Sequence, residues 1–244
     1  MQIKLKPINE QVVVVFGASS GIGRQAALDF AERGAKVVVA ARSENGLKSL
    51  VEEIESKGGE AYYLIADAAD FSQVKNVADS TIEKFGRLDT WVHSAGTFIF
   101  AKVEQTEPEE YKRLIEVNLL GQIYGAKAAL PYLKKSGGAL IHISSVEAWR
   151  TVPFQSAYGA SKHGIGGFVQ ALRAELAHDE RRHVGEEFAG LAVEDVRAEP
   201  DKFRFAHPLA QNCIAEIELV IAERGVVESG RVPGGDHLPA FEDV

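Results

Sequence analysis

Tyr158-Gly159-Ala160-Ser161-Lys162, with Ser145 thirteen positions before the tyrosine, is the stretch of this chain best equipped for chemistry. On a helix, Tyr158 and Lys162 stand four residues apart and project from one face. A free phenol titrates near pH ~10 and neither gives nor takes a proton readily at neutral pH. A lysine ammonium beside it favours the phenolate and lowers that value. A tyrosine moved toward the working pH in this way can act as a general acid or base. Taken alone the pair is ambiguous, because Tyr and Lys at this spacing occur on many solvated helices. The segments that would surround it decide between the two readings.

Those segments begin with Gln11-Val12-Val13-Val14-Val15-Phe16, an unbroken apolar and mostly β-branched run. It has the pattern of a strand buried on both faces of a parallel sheet. The run ends in Gly17-Ala18-Ser19-Ser20-Gly21-Ile22-Gly23, and a helix is expected from about Arg24 to Arg33, stopped by Gly34. Strand, glycine turn and helix form the setting in which N–H groups at a helix N-terminus hold a phosphate. The spacing is Gly-x-x-x-Gly-x-Gly, and glycine turns that bind nothing also follow strands. Lys36 to Ala41 reads as the next strand, and no acidic residue at its end offers to hold the ribose 2′-hydroxyl of NAD. Arg42 follows instead, and a guanidinium there suits a 2′-phosphate. The expected cofactor is therefore NADP(H) in preference to NAD(H), the alternative being that Arg42 is a solvated strand-end charge.

Leu47 to Lys57 has the apolar spacing of a helix and runs into Gly58-Gly59. Ala61 to Ala66 reads as a third strand stopping at Asp67, and Phe71 to Phe85 as a helix stopped by Gly86. Leu88 to His93 begins a fourth strand that leads into Ser94-Ala95-Gly96. Pro108 suits the first turn of a long helix reaching about Leu133. Asn118 falls inside that helix, where asparagine is a mediocre choice. Ala139 to Ile143 is the fifth strand, ending at Ser144-Ser145. The alternation predicts an α/β fold, a doubly wound parallel sheet with helices on both faces. Gly17, Asp67, Gly96 and Ser145 fall at strand ends and would line one edge, where ligands bind in such sheets.

Composition excludes several classes. No apolar run approaches the ~18 residues of a membrane span, and Met1 to Glu10 lacks the apolar core of a signal peptide. Cys213 is the single cysteine, so no intrachain disulfide forms, which fits a reducing, cytoplasmic setting. The net charge of −8 is uneven: residues 179–244 hold 15 acidic and 7 basic side chains, leaving 20 of each in 1–178. The first part therefore has no basic field for nucleic acid. Lys134-Lys135 and Arg181-Arg182 read as solvated pairs. No His or carboxylate cluster has zinc spacing among the seven histidines, so no metal is expected. Phe98, Phe100, Trp149, Val152 and Phe154 would form an apolar pocket wall or pack elsewhere.

The glycine turn, Asp67, Ser94-Ala95-Gly96, Asn118, Ser145 and the Tyr158 to Lys162 segment together resemble the short-chain dehydrogenase/reductase family, in its shorter single-domain branch. The resemblance covers about residues 10 to 178 of a chain expected to form one Rossmann-type domain over 1–244, with strand order like 3-2-1-4-5-6. It implies Tyr158 as catalytic acid/base, and Lys162 as the residue that lowers its pKa and holds the nicotinamide ribose. It implies Ser145 as hydrogen-bond partner of the substrate oxygen, and Asn118 as holder of a water that extends the proton path. Gly17, Ser19, Ser20, Gly21, Ile22 and Gly23 would bind the pyrophosphate, Asp67 the adenine and Arg42 the 2′-phosphate. Ala95 and Gly96 would let the backbone approach the cofactor. The implied activity is an NADP-preferring carbonyl reductase or alcohol dehydrogenase acting on a small carbonyl or alcohol. The expected assembly is a homodimer or homotetramer, with close approach at Gly164, Gly166 and Gly167.

Two departures stand out. His93-Ser94-Ala95-Gly96 replaces Asn-Asn-Ala-Gly, with His93 read as a structural substitute. After His178 the family's sixth strand, Pro-Gly turn and substrate loop do not follow, which makes the C-terminal part atypical. Either residues are missing near 179–180 or this region has diverged or been shortened. Leu209 to Arg224 has helical spacing, Gly225-Val226-Val227 could be a short strand, and Gly234-Gly235-Asp236 is the faintest match. The departure keeps a second class open, a non-catalytic dinucleotide-binding sensor or scaffold on the same fold.

Overall fold

The computed structural model describes residues 5–183, 217–221 and 229–230. Five parallel strands form the centre of the sheet: β1 (Val12–Phe16), β2 (Lys36–Ala41), β3 (Glu60–Ile65), β4 (Thr90–His93) and β5 (Ala139–Ile143). Their order is β3-β2-β1-β4-β5, with β1 in register between Lys36–Ala40 on one side and Thr90–His93 on the other. The helices are α1 (Gly21–Glu32), α2 (Glu44–Ser56), α3 (Phe71–Phe85), α4 (Pro108–Ile115), α5 (Gly121–Ser136) and α6 (Ser156–His183).

Alternation along the strands builds two cores. Val13, Val15, Val37 and Val39 face α1 and α2 through Ala27, Leu47, Leu50 and Ile54. Val14, Phe16, Trp91 and Leu140 face the other way, against Val74, Ala129, Leu133, Ile165 and Val169. A continuous apolar run such as β1 is required because both of its faces are covered. Strand polarity then leaves the carboxyl ends of β1 to β5 on a common edge.

Helix ends follow local chemistry. Asp70 caps α3 by accepting from the Ser72 and Gln73 N–H groups, and Gly86 closes it in the left-handed region at φ 74°. Glu107 and Glu110 form a capping box that spans Pro108, the first residue of α4. At the foot of the sheet Asp89, 4% exposed, accepts from the Val12 N–H at 2.9 Å and from Arg87 Nε at 2.7 Å.

Three expectations need correcting. Helix α1 begins at Gly21, not near Arg24, so the glycine turn supplies its first turn. The long helix expected from Pro108 to Leu133 is interrupted by a π-helical turn, Glu116–Leu120, that contains Asn118. The helix expected over Leu209 to Arg224 is contradicted at Ile217–Ile221, which forms β6, antiparallel to β5. Ile217, Leu219 and Ile221 alternate with Glu218 and Val220, a period-two pattern embedded in a segment that also satisfies helical spacing. β7 (Ser229–Gly230) pairs with β6. Position six of the sheet is thus filled by an antiparallel strand, not a parallel one. The rest of 209–224, and Gly225 to Val227 with Gly234 to Asp236, lie outside the described residues.

Gly125 shows how tightly α5 meets the sheet. A Cβ there would stand 2.5 Å from His93 Nδ1 and 2.9 Å from Trp91 Nε1, both on fully buried rings. Gly125→Ala should gain about 1 kcal/mol of helix propensity and lose more to overpacking, for a net loss of about 1–2 kcal/mol. Thermal unfolding should read this as a midpoint lowered by roughly 2–8 °C, and a raised midpoint would show that the two rings give way.

Candidate active site

The strand edge closes around one cleft of about 940 Å³. Gly17, Ser19, Ser20, Ile22, Arg42, Asp67, Ala95, Gly96, Ser145, Tyr158 and Lys162 all line it. Of the residues singled out from the sequence, Gly21, Gly23 and Asn118 stand behind that lining.

The glycine turn is a packing constraint before it is a binding site. Gly17 has φ 89°, and a Cβ on it would lie 2.4 Å from the Ala95 backbone nitrogen. A Cβ on Gly23 would lie 2.3 Å from the Gly17 carbonyl oxygen. The two glycines let the ends of β1 and β4 and the start of α1 touch backbone to backbone. Ser20, the residue preceding α1, makes no side-chain cap to the helix. The first-turn N–H groups have no partner within the helix and point their partial positive charge at the cleft.

Lys162 is 5% exposed and donates from Nζ to the Ile143 carbonyl at 3.0 Å, at the end of β5. Its Nζ lies 5.4 Å from the centre of the Tyr158 ring. Burial lowers its pKa from 10.5 to about 8, since desolvation disfavours the ammonium. Ser145 is buried in extended backbone, its Oγ accepting from the Glu147 N–H at 3.2 Å. Asn118, fully buried, accepts from the Thr97 N–H at 2.7 Å and donates to the Thr97 carbonyl at 2.8 Å. Its amide also donates to Ser161 Oγ at 3.3 Å. The side chain therefore ties the loop after Gly96 to α6, which accounts for an asparagine inside a helix.

Sequence reasoning missed a second layer. Gln122, fully buried, donates from Nε2 to the carbonyls of His93 and Ile143, each at 3.3 Å. Its Oε1 accepts from His142 Nδ1 at 2.6 Å, so that nitrogen carries the ring proton. The available signal was spacing: Gln122 is four residues after Asn118 on the same helical path, and His142 is in register with His93 across β4 and β5. His93 is stacked 5.1 Å from Phe16 with rings nearly parallel. Its burial, then the nearby His142 and Lys162, hold it well below 6.5, so it is a neutral packing residue. Glu147 also lines the cleft, as does Gln155, and burial raises the Glu147 carboxyl.

An aromatic row runs outward from Phe98, which lines the cleft, whereas Phe100, Trp149, Val152 and Phe154 are not part of its lining. Phe98 meets the Tyr158 ring edge-on at 5.0 Å and stacks on Phe100 at 6.4 Å. Phe100 packs on Phe154 at 5.3 Å. Phe154 adopts φ 68°, uncommon for a bulky side chain, and its carbonyl accepts from the Ala101 N–H at 2.9 Å. Trp149 and Val152 are exposed. At the other end of the cleft, Arg42 is exposed and Asp67 half-buried. Among the described residues no three His, Cys, Asp or Glu side chains converge as a metal site, and no helix is long and apolar enough to cross a membrane.

Comparison with known proteins places residues 11–184 on the profile described as short chain dehydrogenase. An uncharacterized oxidoreductase of Bacillus subtilis strain 168, YxnA, is 39% identical over 73% of this chain and 51% of its own length. The 11-beta-hydroxysteroid dehydrogenase A of Sesamum indicum is 37% identical over 69% of this chain and 49% of its own. The chain thus spans about half the length of these curated relatives. Among solved structures, an alcohol dehydrogenase of the archaeon Thermococcus sibiricus complexed with 5-hydroxy-NADP matches with TM-score 0.66 at 32% identity, over 68% of this chain and 71% of that one. A metagenomic short-chain oxidoreductase in complex with NADP matches with TM-score 0.67 at 32% identity, over 71% and 79%.

The buried Lys162 has a cost that pH should expose. The unfolded lysine keeps its proton to about 10.5 and the folded one only to about 8. The unfolded state thus binds more protons between those values, and stability rises with pH across that window. At pH 7 the full penalty applies, roughly 3 kcal/mol before the lost Ile143 bond is set against it. Lys162→Met should therefore unfold at a higher temperature than the parent at pH 7, the gap closing from pH 8 to 10.5. A variant less stable at pH 7, or a gap independent of pH, would count against a strained ammonium.

Proposed function

This chain belongs to the short chain dehydrogenase family of oxidoreductases, and we propose that it transfers a hydride between NADP(H) and a carbonyl or secondary alcohol, with Tyr158 as general acid/base. The observation that carries the reading is the convergence of Ser145, Tyr158 and Lys162 on the cleft that also holds the glycine turn and Arg42.

The residues present fit a dinucleotide. The approach of Gly17 to Ala95 and the uncapped start of α1 leave a cradle that a Cβ would fill and that suits a pyrophosphate. Gly17, Ser19, Ser20, Gly21, Ile22 and Gly23 would hold it, Arg42 the 2′-phosphate, Asp67 the adenine, and Tyr158 with Lys162 the nicotinamide ribose. Ala95 and Gly96 keep that wall flat. The NADP complexes of the solved relatives support this choice. When bound, the nicotinamide supplies or accepts the hydride.

The protein handles the proton and the charge. In reduction, Tyr158 gives its phenolic proton to the substrate oxygen, and Ser145 Oγ–H donates a hydrogen bond to the same oxygen as it gains negative charge. The Lys162 ammonium, 5.4 Å from the Tyr158 ring centre, stabilises the phenolate left behind. Asn118 holds the Thr97 segment that brings Phe98 onto Tyr158, and a water at Asn118 would return the proton. Phe98, Phe100 and Phe154 favour a substrate whose carbonyl is flanked by an apolar or aromatic group.

Loss of the reduced-nicotinamide absorbance of NADPH with a panel of aryl and alkyl ketones and aldehydes tests the reading. Tyr158→Phe should abolish turnover, by at least about 10²-fold, while NADPH binding weakens by no more than about tenfold, the loss of one hydrogen bond to the ribose. Full activity in that variant would refute the mechanism, and tight NADPH binding without turnover of any substrate would favour a sensor. Arg42→Ala should weaken NADPH about tenfold more than NADH, and equal weakening would remove Arg42 from the 2′-phosphate.

A further inference from the structure

Arg113 lies on α4 and is not part of the cleft lining. Its guanidinium nevertheless reaches the end of β3, where it donates to Asp67 Oδ2 at 2.7 Å. The other carboxylate oxygen, Oδ1, accepts from the Ala69 N–H at 3.0 Å. Partial burial works to raise the Asp67 carboxyl, but the Ala69 N–H, Arg113 and Arg42 together outweigh it and hold the group below the usual carboxylate value. Asp67 is therefore a carboxylate at neutral pH.

That charge sits in an awkward place. β2 and β3 run in register with Ala41 beside Ile65, and the Ala66 N–H donates to the Ala41 carbonyl at 3.0 Å. Arg42 and Asp67 are thus on adjacent strand ends, and both line the cleft. An unpaired carboxylate there would draw on the Arg42 charge and repel a 2′-phosphate. The Arg113 side chain is 39% exposed and Asp67 28%, so as a stabilising ion pair the contact is worth little. Its position suits an electrostatic task better than a structural one.

We propose that Arg113 sets cofactor preference from outside the cleft, neutralising Asp67 so that Arg42 is left to the 2′-phosphate of NADP(H). This rests on the reading that Arg42 meets that phosphate. Arg113 is then a positioning and charge-balancing residue, not one that touches the cofactor.

The test is a double-mutant comparison of NADPH and NADH dissociation constants, measured by titration of the intact chain. Arg113→Leu should weaken NADPH about fivefold and NADH less than twofold, the loss expected for exposing one unit charge near a phosphate in a solvated site. Asp67→Asn in the Arg113→Leu background should restore the NADPH-to-NADH ratio, because the charge that Arg113 balanced is gone. Arg113→Lys, which keeps the charge, should hold the parent ratio. Equal loss of both cofactors, or no recovery in the double variant, would overturn the proposal, since a purely structural role would not respond to the 2′-phosphate. Arg42→Ala measured alongside separates the two ideas: if it fails to discriminate, the seat of the phosphate is wrong, whatever Arg113 does.

Discussion

An ammonium removed from water must be held by something rigid, and here it is the carbonyl of Ile143. The 3.0 Å bond from Lys162 Nζ ends on the last residue of β5, so the sheet positions the amine from below. Helix α6 positions the same side chain from above and carries Tyr158 one turn earlier. Neither support is adequate alone, since a long flexible lysine on a helix would otherwise turn toward solvent. Gln122 shares the Ile143 carbonyl and also takes that of His93, so the ends of β4 and β5 are bridged by one amide. The site is therefore only as well placed as two adjacent strand ends, which sheet hydrogen bonding fixes best.

The opposite wall is set by a different device. The π-helical turn at Glu116–Leu120 inserts Asn118 between α4 and α5. One primary amide there satisfies both the N–H and the C=O of Thr97, as a neighbouring strand would. That substitutes for secondary structure in a loop that has none. The loop so fixed begins at the Ala95 nitrogen that presses on Gly17. Glycine turn, Ala95 loop, Asn118 and Ser161 thus form one continuous set of contacts from β1 to α6. A π turn interrupting an otherwise regular helix beside a cleft is the kind of local irregularity that binding sites retain.

Much of this was legible in the residues. The runs Val12 to Phe16, Lys36 to Ala41 and Ala139 to Ile143 announced buried strands because covered sheet faces demand continuous apolar residues, and β2 and β5 occupy the expected spans. The glycine turn, Ser145, Tyr158 and Lys162 are brought to one cleft as their spacing suggested. What periodicity could not resolve was Ile217 to Ile221, where apolar residues satisfy both a period of two and one of 3.6 and only the open edge of β5 decides. Nor could it find the π turn, since one extra residue in a helical turn leaves the composition unchanged. Gln122, His142 and Arg113 were invisible for another reason: their roles come from partners 20, 21, 29 and 46 positions away, and no local pattern marks them.

Two buried histidines, His93 and His142, lie under the site close to the Lys162 cation. His142 is lowered to about 3, first by burial and then by the charges of Lys162 and Arg173. His93 is lowered well below 6.5 by burial, His142 and Lys162. Both rings are therefore uncharged at neutral pH. His142 is a neutral imidazole carrying its proton on Nδ1, which donates to Gln122. His93, whose two ring nitrogens are buried without a hydrogen-bond partner, stands where the family carries asparagine as an uncharged packing ring, so it adds no second positive charge beside Lys162. Were either ring to ionise, it would push the Lys162 pKa lower still and weaken the field on Tyr158. Desolvation suppresses that outcome, so the burial that strains the lysine also keeps its surroundings electrically quiet.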